Sequence, residues 1–387
     1  MRCGQHISTR KDRMLLLRNM RRLAVALPLI VLSVCFVYWK MTKTIGLNET
    51  GEKLVKPKLQ PKNIALLKFH PMEFEPEVRE DIQTVDTYKT YIPHIIHFIF
   101  ISGLKGKVGI PGYYKDNVNS FLHFNPNWKY YFWTDISARQ LIATRHPTLL
   151  PTWDNYPLVI KKADALRYVL LYEFGGVYAD LDMKCMRPLD RATMKYACIL
   201  TPEPFEHSTI LYRLPFLLSN AFMMCRPKHP FMKQAILSLP VFANSPHPSA
   251  VAGPLFLTTM FKKYNNFQPG DEFRKKTDNV SNSPFFYKGS RAEDHVESIY
   301  IANTHYFMDS IDTRVDFQRM CEGPRERMVK RGCFIWTKRK FGKTRKSFSY
   351  TDHNWAHIYS INNSTRMIPI ESVIPGSKLK IWQAEHG

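Results

Sequence analysis

Asp180 and Asp182 stand one residue apart in Tyr178-Ala179-Asp180-Leu181-Asp182. Two carboxylates at the end of a short apolar stretch make a hard, oxygen-rich set for a divalent cation. Such an ion is useful where it bridges the phosphates of a nucleotide. In an extended backbone, side chains two apart point the same way, so both carboxylates would face one site if Val177–Leu181 is a strand. One would hold the ion directly, the other through water or the sugar. Taken alone, Asp-x-Asp reads as readily as a polar strand end or the N-cap of the next turn. The preceding residues add to it. Asp164 and Arg167 are three apart and share a helix face. On a surface they would be an ion pair worth about a few tenths of a kcal/mol. Here they sit in an otherwise apolar run that leads through Gly175-Gly176 to the aspartates. A carboxylate there can accept from sugar hydroxyls while a guanidinium meets an oxygen of the sugar or phosphate. The combination points to an enzyme that handles a nucleotide-activated group, a sugar by preference.

The elements that must position these residues are legible on either side. Ile92–Phe100 is apolar, β-branched and aromatic, and predicts a buried first strand. A helix candidate follows, then a second strand over Trp128–Trp133 closed by Thr134-Asp135. Ser137–Arg145 predicts a helix with Ser137 as its N-cap. Leu158–Phe174 predicts a longer helix, ended by Gly175 in the left-handed conformation glycine tolerates. Val177–Leu181 is the next strand. Strands alternating with helices argue for an α/β sheet that binds ligands at the carboxyl ends of its strands. No internal repeat or Gly-rich phosphate loop is present.

With these residues in view, the stretch ADALRYVLLYEFGGVYADLDMKCMRPLD resembles the core signature of glycosyltransferase family 32, the DXD-containing sugar transferases. IPHIIHFIF is similar to that family's opening strand, with Phe100 where Trp is usual. Ser219–Met223 with His229-Pro230-Phe231, Ala252-Gly253-Pro254 and His353-Asn354-Trp355-Ala356 resemble later family elements, Lys228 standing where Gly is common. The resemblance spans about residues 91–360. It implies a GT-A fold (one Rossmann-like α/β domain), a Mn2+ (or Mg2+) site and retention of anomeric configuration. Carried over residue by residue, Asp180 and Asp182 hold metal and diphosphate, and Asp164 and Arg167 hold the donor sugar. Phe100 stacks on the nucleotide base. His353 is a further metal or diphosphate contact, the alternative being a histidine packed beside Trp355. Asn220 lines the acceptor side as a catalytic candidate. Ser219–Met223 and His229–Phe231 look most like the branch that mannosylates inositol phosphoceramide, so the resemblance favours GDP-mannose as donor and a glycolipid or glycan as acceptor. The alternative within enzymes is an α-galactosyl or α-N-acetylglucosaminyl transferase using a UDP-sugar. The alternative of another class is a catalytically inactive, membrane-anchored carbohydrate-binding protein, against which the intact Asp164, Arg167, Asp180 and Asp182 argue.

The rest of the chain supplies an address. Leu23–Trp39 is 17 residues without a charge, close to the minimum for spanning a bilayer. Seven Lys/Arg precede it against Asp12 alone, so residues 1–22 read as a cytosolic basic tail and 23–39 as the anchor of a type II protein. No small-x-small cleavage site follows, which disfavours a secreted product. A span this short suits an early-secretory or Golgi bilayer. Residues 40–90 read as a luminal stem rich in Lys and Pro, and 91–387 as the catalytic domain.

The formal net charge is +22, but residues 1–63 carry 13 Lys/Arg against 3 Asp/Glu, and residues 325–346 carry 10 Lys/Arg against Glu326 alone. The remainder is nearly neutral, so the basicity does not describe a nucleic-acid binder. The 325–346 segment reads as a solvated basic loop, or as one that meets anionic head groups. Cys185, Cys198, Cys225, Cys321 and Cys333 fall in the lumen, where disulfides persist. Cys321 and Cys333 bracket a short loop and are expected to pair, and an odd count leaves at least one unpaired within the chain. The glycosylation triplets at Asn48, Asn279 and Asn362–Asn363 agree with a luminal side.

Overall fold

A computed structural model describes residues 91–383 other than 102–108, 195, 268–295, 298, 303, 324–325, 342–348 and 357–364. These belong to one unit, Ala65–Gly387. The basic tail, the Leu23–Trp39 anchor, the stem and the asparagines of the glycosylation triplets lie outside the described residues. Among the described residues no helix is long and apolar enough to cross a membrane.

The strands are β1 (Ile95–Ile99), β2 (Ile110–Pro111), β3 (Lys129–Trp133), β4 (Gly176–Ala179), β5 (Met183–Cys185), β6 (Cys198–Pro202), β7 (Leu218–Cys225), β8 (Tyr300–Ile301), β9 (Thr351–His353), β10 (Met367–Ile368) and β11 (Leu379–Lys380). The main sheet has the order β11-β3-β1-β4-β7-β6-β8. Its pairings are parallel except those of β7, which runs antiparallel to β4 and β6. Every other strand of this sheet therefore points the same way. Two short pairs, β10-β2 and β5-β9, stand apart from it.

Side-chain alternation feeds two apolar layers. Ile96, Phe98, Tyr130, Phe132, Val177 and Phe222 face one core. Ile99, Trp133, Tyr178 and Met223 face the other, which is covered by the helices Asp135–Arg145, Val159–Glu173, Pro230–Phe242 and Pro254–Tyr264. A sheet covered on both faces explains why its strands read as continuous apolar runs.

The helix expected from Ser137 begins at Asp135. Thr134 is the N-cap, and Ser137 closes a reciprocal capping box from the third helical position. The helix Val159–Glu173 ends where Gly175 takes φ +64°. Gly176 follows at φ +92°, and a Cβ there would stand 2.5 Å from the Ile95 carbonyl oxygen. This pair turns the chain from the helix directly into β4. The strand expected to reach Leu181 stops at Ala179, so Asp180 and Asp182 sit on the turn beyond it, closed by a Met183 N–H to Asp180 carbonyl bond of 2.9 Å.

The basic segment expected as a loop is helical over Arg327–Phe341. Gly332 lets it lie close to the π-helical turn His207–Leu211, since a Cβ there would come 2.2 Å from the Thr209 hydroxyl oxygen. Arg339 pairs with the fully buried Glu206 at 2.6 Å and with Asp309 at 3.1 Å. Cys321 and Cys333 form the expected disulfide. Cys198 and Cys225 form a second, joining directly opposed residues of β6 and β7. Cys185 is left as a buried thiol.

Candidate active site

Asp164 and Arg167 lie on the buried side of the Val159–Glu173 helix, one turn apart, with 3.0 Å between carboxylate oxygen and guanidinium. Arg167 reaches past the helix to Asp180 at 2.8 Å. It also donates to the Asn220 carbonyl at 3.0 Å, and its guanidinium stands 4.8 Å from the centre of the Tyr178 ring. Three acceptors thus share its terminal nitrogens, while its Nε is buried without a hydrogen-bond partner among the described residues. Burial would pull the guanidinium pKa down, but Asp180, Tyr178 and Asp164 raise it above its ordinary value. Arg167 is a fixed cation that holds two carboxylates in place.

Those carboxylates differ in setting. Asp164 is buried, and burial pushes its pKa up against the pull of Arg167 and the Asn220 amide, which donates to it at 3.1 Å. Asp180 is the more open, its side chain 23% exposed. It accepts from the Tyr178 hydroxyl and from Arg167. Burial pushes its pKa up to about 6, Arg167 opposing and Asp182 adding to the rise.

Asp182 has its own set of partners. It accepts from Nε2 of His353 at 3.0 Å and from the Ala356 N–H at 2.8 Å, and its carbonyl accepts from the Asn354 N–H at 3.0 Å. Burial would raise its pKa, yet His353, the Ala356 N–H and its own backbone N–H hold it below the ordinary carboxylate range. His353 shows the reciprocal effect: burial would lower its pKa, but Asp182 raises it. The histidine is delivered by β9, which pairs with β5 so that His353 opposes Met183, one residue after Asp182. Its ring meets Trp355 edge-on at 4.1 Å.

Asp180, Asp182 and His353 offer ligand atoms within 4.8 Å of one another. Two carboxylates and an imidazole suit a divalent cation, and His353 Nδ1 is buried without a hydrogen-bond partner among the described residues while Nε2 is held by Asp182. The residues present fit such an ion.

Two expected contacts are placed differently. Asn220 is 4% exposed, its amide donating to Asp164 and at 3.4 Å to the Ala252 carbonyl. It braces the Asp164 carboxylate rather than opening to an acceptor. Phe100 is likewise 4% exposed and packed in the apolar layer beneath the sheet. Its position just past the end of β1 is what sequence reasoning captured.

Sequence reasoning missed Tyr178, although it lies in the motif itself, two residues before Asp180 and on the same pleat. It also missed Tyr114, whose hydroxyl pKa is raised by burial and then by Asp182. Asn117 bridges the Leu181 carbonyl and the Asn354 amide at 3.1 and 3.0 Å. No local signal marks these two. The topology brings them more than sixty residues in sequence to the turn that carries the aspartates.

Residues 111–199 match the family described as glycosyltransferase sugar-binding region containing DXD motif. This stretch is similar to the DXD-type glycosyltransferases. The matched residues include Tyr114, Asn117, Asp164, Arg167, Asp180 and Asp182, and the resemblance to glycosyltransferase family 32 holds. The chain is similar to inositol phosphoceramide mannosyltransferase 1 of Schizosaccharomyces pombe, 35% identical over 164 residues, which cover 40% of this chain and 48% of that protein. It is also 35% identical over 164 residues to a mannosyl phosphorylinositol ceramide synthase of Saccharomyces cerevisiae, covering 41% of this chain and 40% of the relative. A 29% match to inositol phosphoceramide mannosyltransferase 2 of Schizosaccharomyces pombe covers 51% and 58%. The chain thus spans about half the length of the curated relatives it matches.

Proposed function

We propose that this protein is a retaining, metal-dependent glycosyltransferase of GT-A type that moves a hexose from a nucleotide-sugar, GDP-mannose in preference, to a glycolipid or glycan of the secretory pathway. The observation that carries the reading is the continuous network Asp164–Arg167–Asp180, set beside Asp182 and His353 at the carboxyl end of β4. Ligands of open α/β sheets bind at that edge. The three relatives whose names specify mannosyl transfer to an inositol phosphoceramide support the choice of sugar and of a lipid acceptor. An inositol phosphoceramide-like sphingolipid is the acceptor we favour.

Asp180, Asp182 and His353 would hold a divalent cation, whose charge offsets that of the departing nucleoside diphosphate. The protein's own residues do the rest. Asp164, braced by Asn220 and Arg167, accepts from hydroxyls of the donor sugar and fixes its orientation. Arg167 keeps Asp180 ionised and aimed, and the Tyr178 hydroxyl holds the same oxygen. His353 holds Asp182 in place through Nε2, and both would serve as ligands to the ion. A Golgi location with residues 23–39 as a type II anchor fits a lipid acceptor presented on the luminal face.

The test is hydrolysis of GDP-mannose, UDP-galactose and UDP-N-acetylglucosamine by the full-length protein with manganese. We expect GDP-mannose to be consumed fastest, and Asp164→Ala to lose turnover while still binding GDP. A preference for UDP-sugars would overturn the mannosyl reading and leave the transferase reading standing.

A further inference from the structure

The Arg327–Phe341 helix divides its residues between two sides. Val329, Gly332 and Cys333 are buried against the His207–Leu211 turn and Phe317. The Cys321–Cys333 disulfide and the Arg339 pairs to Glu206 and Asp309 clamp that side in place. Arg327, Lys330, Arg331, Phe334, Thr337 and Lys338 are exposed. Their spacing of three and four makes one stripe along the helix. The helix RMVKRGCFIWTKRKF contains no acidic residue. At the middle of the stripe Phe334 is 60% exposed, with the Lys338 ammonium 4.4 Å from the centre of its ring.

We propose that this stripe docks on the surface of an anionic bilayer. Cations flanking one outward aromatic ring suit the head-group layer. There the ring enters the interface while lysine and arginine stems carry their charges to lipid phosphates and carboxylates. A stripe with no acidic side chain and one hydroxyl offers little directional pattern to a protein partner, and a diffuse negative surface requires none.

The buried side leads toward the candidate active site. Gly332 rests on Thr209, His207 of the same turn meets Trp355 at 4.4 Å, and Trp355 meets His353. Docking would therefore orient the site relative to the bilayer. Its use, to present a lipid-borne acceptor, rests on the glycosyltransferase reading, whereas the docking itself does not.

The test uses the full-length protein in nanodiscs of phosphatidylcholine with or without phosphatidylserine, the acyl chains brominated. Phe334→Trp adds an emission over that of the parent. We expect the added emission to be quenched with phosphatidylserine, spared in phosphatidylcholine alone and relieved by high salt. Lys330→Gln with Arg331→Gln should lower the docked-to-undocked ratio by about thirtyfold, from roughly 1 kcal/mol for each cation. Emission unquenched in both lipids, or quenched regardless of charge, would overturn the proposal. So would emission that shifts with soluble polyglutamate and not with lipid, which would assign the stripe to an acidic protein. None of these outcomes depends on sugar transfer.

Discussion

Arg167 and Asp180, thirteen positions apart in sequence and on different elements, stand 2.8 Å apart. The same guanidinium meets Asp164 at 3.0 Å. One cation thus fixes both a carboxylate of the candidate metal set and the carboxylate expected to read the sugar. Removing it would leave two largely buried carboxylates without their counter-charge. Arg167→Met should lower the free energy of unfolding by about 3–5 kcal/mol. Urea titration at neutral pH checks this. An unchanged midpoint would mean that water reaches the network freely.

Gly253 caps the Pro254–Tyr264 helix beside Asp164. A Cβ there would stand 2.9 Å from the Ser249 Cα and 3.2 Å from the Asp164 Oδ2. Gly253→Ala must therefore move backbone or carboxylate, with an overpacking cost of about 1–3 kcal/mol. We expect donor-sugar hydrolysis to fall more than GDP binding does, because the displaced group is Asp164. Titration of GDP against the variant, compared with its turnover, separates the two effects.

His97 provides a pH signature separate from the metal set. Its Nε2–H donates to the Gly175 carbonyl at 2.8 Å and its Nδ1 accepts from the Trp133 indole at 3.2 Å, so the ring is held neutral in one tautomer. Burial pulls its pKa down to about 4. The unfolded chain, with an ordinary histidine pKa near 6.5, binds this proton first as pH falls. The unfolded state therefore holds more protons between these values, and stability rises with pH through that window. The folded state should lose about 3 kcal/mol between pH 6.5 and pH 4 from this residue. Parent and His97→Gln should therefore converge in stability as pH falls. Parallel pH–stability curves would contradict it.

Much of this site was legible because its parts are local. The Val159–Glu173 helix, the Gly175-Gly176 turn and the aspartates are contiguous, and the helical period alone puts Asp164 beside Arg167. Tyr178 was within reach of the same reading and was passed over as apolar strand. Other features depend on pairing that no local pattern encodes. His353 meets Asp182 because β9 pairs with β5, across 171 positions. Phe100 packs in a core, and in the sequence an aromatic residue at a strand end looks the same whether its ring faces a ligand or a core. The contact of Asn220 with Asp164 spans 56 positions and leaves no local mark. The basic segment read as a loop because its composition hides three anchors, Gly332, Cys333 and Arg339, whose partners lie elsewhere in the chain.

The central claim is that Asp180, Asp182 and His353 form one metal-dependent nucleotide site. Its most direct test is titration of GDP into the full-length protein with manganese and with a chelator, in the parent and in Asp182→Asn. We predict that manganese tightens GDP binding to the parent by at least about tenfold, as expected where an ion links carboxylates to phosphates. Asp182→Asn should stay folded and show no manganese dependence. Equal GDP affinity with and without metal in the parent, or an undiminished manganese effect in the variant, would contradict it.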